Sequence, residues 1–312
     1  MDSKPLGALP ESALKWIAGL GGTSVQVREA RRLPGSTSSA LYQVRLEGDA
    51  DSRDAVIRLY DNERWLNQEP DVALHESEAL VRSALGGLSS PELLGVDRDG
   101  QACGLPAVLM TLLPGEVILK PPNMQGWLAG LAGALAKVHA IPAGDFPWTH
   151  YSYTDIEALE PPDWTTRKES WAEAVRYIRN NRPEYAERFI HRDYHPGNVL
   201  WQGETVSGIV DWPNACRGPA GADVGHCRLN LAQLYGVETA DAFLRAYMDA
   251  AGASFTYHPY WDLLSLFDGL ADGPPQVYGG WADFGVTDLT DRIIAERLEQ
   301  YQASLMQRLE GK

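Results

Sequence analysis

Phe189-Ile190-His191-Arg192-Asp193-Tyr194-His195-Pro196-Gly197-Asn198-Val199-Leu200 carries the most chemistry in this 312-residue chain. An apolar run leads into His-Arg-Asp, and an Asn follows five residues after the Asp. Beyond Asn198, residues 198–201 and 206–210 flank Gln202-Gly203-Glu204-Thr205 and read as a β-hairpin. That hairpin ends in Ile209-Val210-Asp211-Trp212, an apolar strand closing on a carboxylate. A hairpin of this length returns Asn198 and Asp211 to one edge. There an amide oxygen and a carboxylate suit a hard divalent cation, while Asp193 is placed to accept a proton. An isolated Asp or Asn beside a turn is ordinarily a cap or an Asx-turn residue. Three such residues in linked, ordered positions are what point to chemistry.

Composition limits the partners. Hydrophobic residues make up 44% and charged residues 22%, an ordinary globular balance. The formal charge of −15 argues against nucleic acid and against an anionic membrane surface, because both reward net positive charge. No stretch reaches the roughly 18 uninterrupted apolar residues of a membrane span. Cys103, Cys216 and Cys227 are widely spaced and form no CxxC pair, so reduced thiols and a cytoplasmic location are expected.

The flanking sequence organises around two lobes. Residues 25–33 and 40–46 are β-leaning and separated by Pro34-Gly35-Ser36-Thr37-Ser38-Ser39, which predicts a hairpin. Residues 55–60 read as a third strand, 72–85 as a helix stopped by Gly86-Gly87, and 93–96 and 105–112 as two further strands. Pro114-Gly115 and Pro121-Pro122 mark a boundary, giving domains 1–113 and 114–312. After it come helices at 123–139, with Asn123 as N-cap, and at 165–181. An irregular stretch at 143–163 lies between them, and several helices end with one over 289–309.

The run from His191 to Asp223 resembles the aminoglycoside phosphotransferase and choline kinase-like family, relatives of the eukaryotic-type protein kinases. It shares a His-x-Asp-x-x-x-x-Asn loop, an Asp-Trp after the hairpin, and Gly218-Pro219-Ala220-Gly221-Ala222-Asp223. The resemblance implies an α+β, bilobal, protein-kinase-like fold, with a small antiparallel-sheet N-lobe and a larger, mainly helical C-lobe. It implies ATP and Mg²⁺ as cofactors, Asp193 as catalytic base, Asn198 and Asp211 as metal ligands, and a structural role for Asp223 in steadying the loop. His191 is expected to be structural and His195 an ordinary loop histidine, with an approach to substrate or phosphate as the alternative for His195.

Phosphoryl transfer also needs a cation on the phosphates and an acid to position it. No lysine occurs between Lys15 and Lys120, so Arg58 takes that place on the third strand. Glu76 is its expected partner and Glu78 the alternative. Gly35, Ser36, Thr37 and Ser38 are expected to cover the phosphates, and the backbone near Thr111 and Leu113 to bind the purine. The acceptor side rests on residues 252–291, which hold no Lys or Arg but carry Asp262, Asp268, Asp272, Asp283, Asp288 and Asp291. Tyr260, Trp261, Tyr278 and Trp281 interleave with them. Acids with aromatics suit an amine-bearing hydroxyl acceptor, and equally a solvated face with capping aspartates. The expected activity is transfer of the γ-phosphate to a small, amine-bearing, aminoglycoside-like molecule. The alternatives are a metabolic kinase for choline, homoserine or a sugar, and a silent nucleotide-binding regulator. An Ala-Pro-Glu segment after Asp211 is missing, which disfavours a protein kinase.

Overall fold

The computed structural model describes residues 9–20, 25–33, 39–48, 52–87, 89–270 and 273–310. They form two compact units, Met1–Gly115 with Ser207–Asn214, and Glu116–Val206 with Ala215–Lys312.

In the first unit, α1 (Glu11–Leu20) precedes β1 (Gln26–Arg32), β2 (Ala40–Glu47) and β3 (Ser52–Leu59). Then come α2 (Glu63–Gln68), α3 (Val72–Ser83), β4 (Leu93–Asp97) and β5 (Ala107–Thr111). The five strands make one antiparallel sheet of order β1-β2-β3-β5-β4. Strand periodicity of two divides their side chains. Tyr42, Val44 and Leu46 of β2 join Ala55, Ile57 and Leu59 of β3 in a core closed by Ala13 and Ile17 of α1. Arg58, opposite Val108 of β5, therefore emerges on the other face, where it meets α3. Ser207–Asn214 is stitched into this unit by Ile209 N–H donating to Ser89 O at 3.0 Å and Ser207 Oγ donating to Pro114 O at 2.6 Å.

The second unit is mainly helical. It begins with β6 (Glu116–Val117), α4 (Met124–Ala140) and α5 (Lys168–Asn180). Asn123 caps α4 by accepting Gly126 N–H at 3.0 Å. β7 (Glu187–Ile190) leads into the loop quoted above. β8 (Val199–Gln202) and β9 (Thr205–Ile209) follow, in a sheet of order β6-β8-β9, with the chain passing into the first unit's Ser207–Asn214 segment within β9. β10 (Cys216–Pro219) returns antiparallel to β7 and runs directly into α6 (Ala220–Tyr235). α7 (Val237–Ala251), α8 (Pro259–Asp268) and α9 (Asp291–Glu310) complete the unit. α6 presses closely on α8: a Cβ on Gly225 would stand 2.7 Å from the Trp261 carbonyl oxygen. That approach fixes the helix carrying Asp223 and His226. Among the described residues no helix is long and apolar enough to cross a membrane.

Candidate active site

The loop after β7 is built around Asp223. This carboxylate, fully buried at the start of α6, accepts His191 N–H at 2.8 Å and Arg192 N–H at 2.6 Å. It also meets His139 Nε2 of α4 at 3.0 Å, and His139 Nδ1 bonds in turn to Tyr247 OH at 2.5 Å. Burial alone would push the Asp223 carboxyl up. The His139 hydrogen bond and charge, with His191 beside it, outweigh that and hold it below the usual carboxylate range. Thus anchored, Arg192 adopts φ +68°, a left-handed backbone that L residues avoid. Its guanidinium lies 4.0 Å from the centroids of both the Tyr151 and Tyr153 rings and donates to Tyr151 O at 2.9 Å. Tyr194 then ties the loop to α4 by donating its hydroxyl to Leu131 O at 2.8 Å.

Asp193 emerges from this frame with a side chain 31% exposed. His226 Nε2 of α6 stands 3.1 Å from its Oδ1, and His195 Nε2 stands 3.9 Å from the same atom. Burial opposes the charge on Asp193, but the His226 hydrogen bond and the neighbouring His195 and His191 prevail. They hold the carboxyl well below its ordinary range. His195 also accepts Gly197 N–H at its Nδ1, at 3.1 Å, which shapes the turn Pro196–Asn198. Asn198 is buried. Its Nδ2 donates to Asp193 O at 2.9 Å and reaches Asp193 Oδ2 at 3.4 Å. The amide nitrogen is thereby engaged, leaving the carbonyl oxygen as the donor atom Asn198 can offer a cation.

The first unit carries a separate charged cluster. Arg58, 4% exposed, places Nε 3.2 Å from Glu76 Oε2 and Nη2 2.7 Å from Asp211 Oδ1. It donates Nη1 to Ser39 Oγ at 3.2 Å. Tyr60 OH donates to Glu76 Oε2 at 2.6 Å. Glu76 is fully buried on α3, whereas Glu78 is exposed. Desolvation pulls Arg58 toward neutrality, yet Glu76 and Asp211 more than compensate and keep it charged. Burial raises the Glu76 carboxyl, against Arg58 and Tyr60. Its Oε1 is buried with no hydrogen-bond partner among the described residues. Asp211 has φ +71° and a side chain 34% exposed. Arg192 and Asp211 are the non-glycine residues of positive φ among those described.

The structure thus brings Arg58, Glu76 and Asp211 together in one unit, and Asp193 and Asn198 in the other. Thr111 ends β5, with its Oγ1 accepting Glu92 N–H at 2.9 Å. Leu113 lies beside Gly208. Gly35, Ser36, Thr37 and Ser38 lie outside the described residues, as does Asp272. Sequence reasoning passed over His226, His139 and Tyr60. For His226 a signal existed: it follows Asp223 by three residues, which puts both on one helix face. Among the described residues no group of three or more His, Cys, Asp or Glu could hold a metal ion by itself.

The acid-aromatic tract divides between core and surface. Tyr260, Trp261 and Trp281 are core residues, and Asp262 is 1% exposed, paired with Arg228 at 2.5 Å. Asp268 Oδ1 accepts from Thr154 Oγ1 at 2.5 Å and Thr154 N–H at 3.1 Å. Asp291 Oδ1 accepts Val277 N–H at 2.8 Å. Asp283, Asp288 and Tyr278 remain exposed.

Three comparisons bear on this arrangement. The model of the phosphotransferase enzyme family matches residues 29–264. Homoserine kinase of Rhodopseudomonas palustris (strain BisA53) is 31% identical over 189 residues, 54% of this chain and 56% of that protein. Homoserine kinase of Methylocella silvestris is 30% identical over 158 residues, 46% of this chain and 48% of that protein. The chain spans about half the length of the curated relatives it matches. Among solved structures, a thermostable mutant of aminoglycoside phosphotransferase APH(4)-Ia, in ternary complex with AMP-PNP and hygromycin B, superposes with a TM-score of 0.61. It shares 15% identity over 95% of this chain and 99% of that one. Macrolide 2'-phosphotransferase MphH from Brachybacterium faecium gives a TM-score of 0.58 at 15% identity, covering 93% and 98%. At these identities the structural likeness is one of fold.

Proposed function

The chain belongs to the phosphotransferase enzyme family, and from that premise we propose that it transfers the γ-phosphate of ATP to the hydroxyl of a small, amine-bearing alcohol, with homoserine the first acceptor to test. The observation that carries the reading is the Asp193 carboxylate, kept ionised and held beside Asn198 on a loop anchored by Asp223. The curated relatives at about 30% identity favour homoserine over an aminoglycoside. Within the acid-aromatic tract, which suggested an amine-bearing acceptor, Tyr260, Trp261, Asp262 and Trp281 serve the core.

In this reading Asp193 accepts the acceptor's hydroxyl proton. The acceptor oxygen bonds to the γ-phosphorus as the bond to the β-phosphate oxygen breaks, and ADP leaves. Arg58, kept charged and aimed by Glu76, binds phosphate oxygens through its planar fork. Gly35, Ser36, Thr37 and Ser38 cover the phosphates, and the backbone of Thr111 and Leu113 holds the purine. Asp211 and the Asn198 carbonyl oxygen are the groups that would hold Mg²⁺. Their hard oxygens fit that ion, which characteristically takes one or two protein ligands plus substrate phosphates. When bound, the metal neutralises charge on the triphosphate.

The test is ADP release with Mg²⁺ and ATP across homoserine, choline, several aminoglycosides and macrolides, with Asp193→Asn alongside. Homoserine-dependent turnover that falls on the order of 10²- to 10⁴-fold in the variant supports the proposal. Turnover only with an antibiotic overturns the acceptor, and nucleotide binding with no turnover on any acceptor overturns the activity.

A further inference from the structure

Asp193 is reached by a side chain that the phosphotransfer scheme leaves without a task. His226 projects from α6 toward the loop, and its Nε2 lies 3.1 Å from Asp193 Oδ1. Asn230, one turn on, donates Nδ2 to the His226 carbonyl at 3.0 Å and stands 3.3 Å from His226 Nε2. The other carboxylate oxygen, Oδ2, has the long 3.4 Å approach from Asn198 Nδ2 and is the less committed of the two. The His226 and Asp193 side chains are 32% and 31% exposed, so both are open where an acceptor arrives. The titratable groups around His226 are Asp193 and His195 from the loop, Asp223 from its own helix, and Asp268 from α8. Burial works against a charge on His226. The Asp193 hydrogen bond and the carboxylates of Asp193, Asp223 and Asp268 outweigh it and hold the imidazole above the usual histidine range. An ionised carboxylate can only accept, so at 3.1 Å the hydrogen bond runs from His226 Nε2–H to Asp193 Oδ1.

We propose that His226 is a positioning residue for phosphoryl transfer: by donating its Nε2 proton to Asp193 Oδ1 it fixes the carboxylate so that Oδ2 takes the acceptor's proton. The inference rests on the phosphotransfer reading above. The acceptor O–H bond breaks and its proton passes to Asp193 Oδ2. The oxygen–phosphorus bond forms as the β,γ-bridge bond breaks, and the electron pair leaves with ADP. His226 keeps its proton throughout. An unsupported carboxylate samples other rotamers, and misplacement of a reacting group by about 1 Å costs on the order of 10²-fold in rate.

The experiment compares His226→Leu and His226→Gln, each in the unmodified protein and in Asp193→Asn, with thermal unfolding as a control on folding. For His226→Leu, kcat should fall on the order of 10²-fold while the KM for ATP stays within about twofold. His226→Gln, which keeps an N–H donor, should restore most of kcat. In the Asp193→Asn background His226→Leu should add nothing, because the histidine acts through that carboxylate. Without any acceptor, NMR titration should show the His226 imidazole above 6.5 and returning toward it in Asp193→Asn. A His226 titration indifferent to Asp193→Asn overturns this inference alone. So does an undiminished kcat in His226→Leu, or an additive loss in the double variant. Absence of turnover in the unmodified protein overturns the phosphotransfer reading and this inference with it.

Discussion

Replacing Asp223 should cost more stability than replacing any residue that touches the reactants. Its carboxylate is fully buried and takes three donors, His191 N–H, Arg192 N–H and His139 Nε2. Asp223→Ala strands all three. A buried donor left without an acceptor costs about 1–3 kcal/mol, so the sum is about 3–6 kcal/mol after partial relaxation. Against a typical stability of about 5–15 kcal/mol, that is a large fraction. At about 2–4 °C per kcal/mol for a large domain, the melting temperature should drop by roughly 6–24 °C. The Arg192 backbone, at φ +68°, holds about 1–3 kcal/mol of strain that the His191 and Arg192 N–H bonds to Asp223 restrain, so the loop should relax and kcat collapse. Asp223→Asn keeps one acceptor oxygen but turns an amide N–H₂ toward a donor, and should lose less. The pH dependence has a definite sign. Asp223 has a folded pKa below its ordinary 3.8, so its contribution is present above that value and lost as pH falls through the folded one. The gap between unmodified protein and Asp223→Asn, measured by urea denaturation, should be constant at neutral pH and narrow in acid below 3.8. A gap under about 1 kcal/mol at neutral pH, or one that widens in acid, would refute the reasoning.

Three further outcomes are expected. Arg228→Met strands Asp262 in the core between α6 and α8 and should cost about 3–5 kcal/mol by calorimetry, while Arg228→Met with Asp262→Leu should cost less than the single change. His150 is pushed down to about 4 by burial, with Arg192 adding to it. The unfolded chain therefore binds a proton that the folded one refuses. Stability should fall by at most about 3 kcal/mol as pH drops from 6.5 to 4, and His150→Phe should flatten that slope in a denaturation series. Tyr60→Phe removes one donor from the buried Glu76 carboxylate; it should destabilise the protein by about 1.5–3 kcal/mol in urea denaturation and weaken ATP binding through a less well-aimed Arg58.

Most of the architecture was legible because it rests on local period and punctuation. The strands later seen as β1 to β5, the helices α3, α4 and α5, and the hairpin of β8 and β9 all announce themselves by alternation, helical spacing or Gly and Pro stops. The two-lobed protein-kinase-like class followed from the linked motifs, and the structure has it. What stayed hidden was set by tertiary pairing. β7 and β10 are four residues each and paired across a long connection, so neither carries enough pattern alone. α1 is short and precedes any motif. Within the acid-aromatic tract composition has a physical limit: Asp262 is as acidic whether it faces solvent or neutralises a buried Arg228, and only packing distinguishes the two.

The site also inverts the usual relation between local preference and structure. Arg192 and Asp211 adopt left-handed backbones without a glycine's freedom; aspartate tolerates that region better than most L residues, whereas nothing local favours it for Arg192. Each is held by a contact remote in sequence. Arg192 N–H goes to Asp223, and Asp211 meets Arg58 from the sheet at 2.7 Å. His226 belongs to the same logic, since it shares a helix with Asp223 and so reaches the loop that Asp223 anchors. One helix therefore both sets the loop's strained backbone and touches its exposed carboxylate. The close seating of α6 on α8 at Gly225 positions both functions at once. Displacing that helix should disturb the ionisation of Asp193 and the conformation of Arg192 together, whereas damage confined to the loop should separate them.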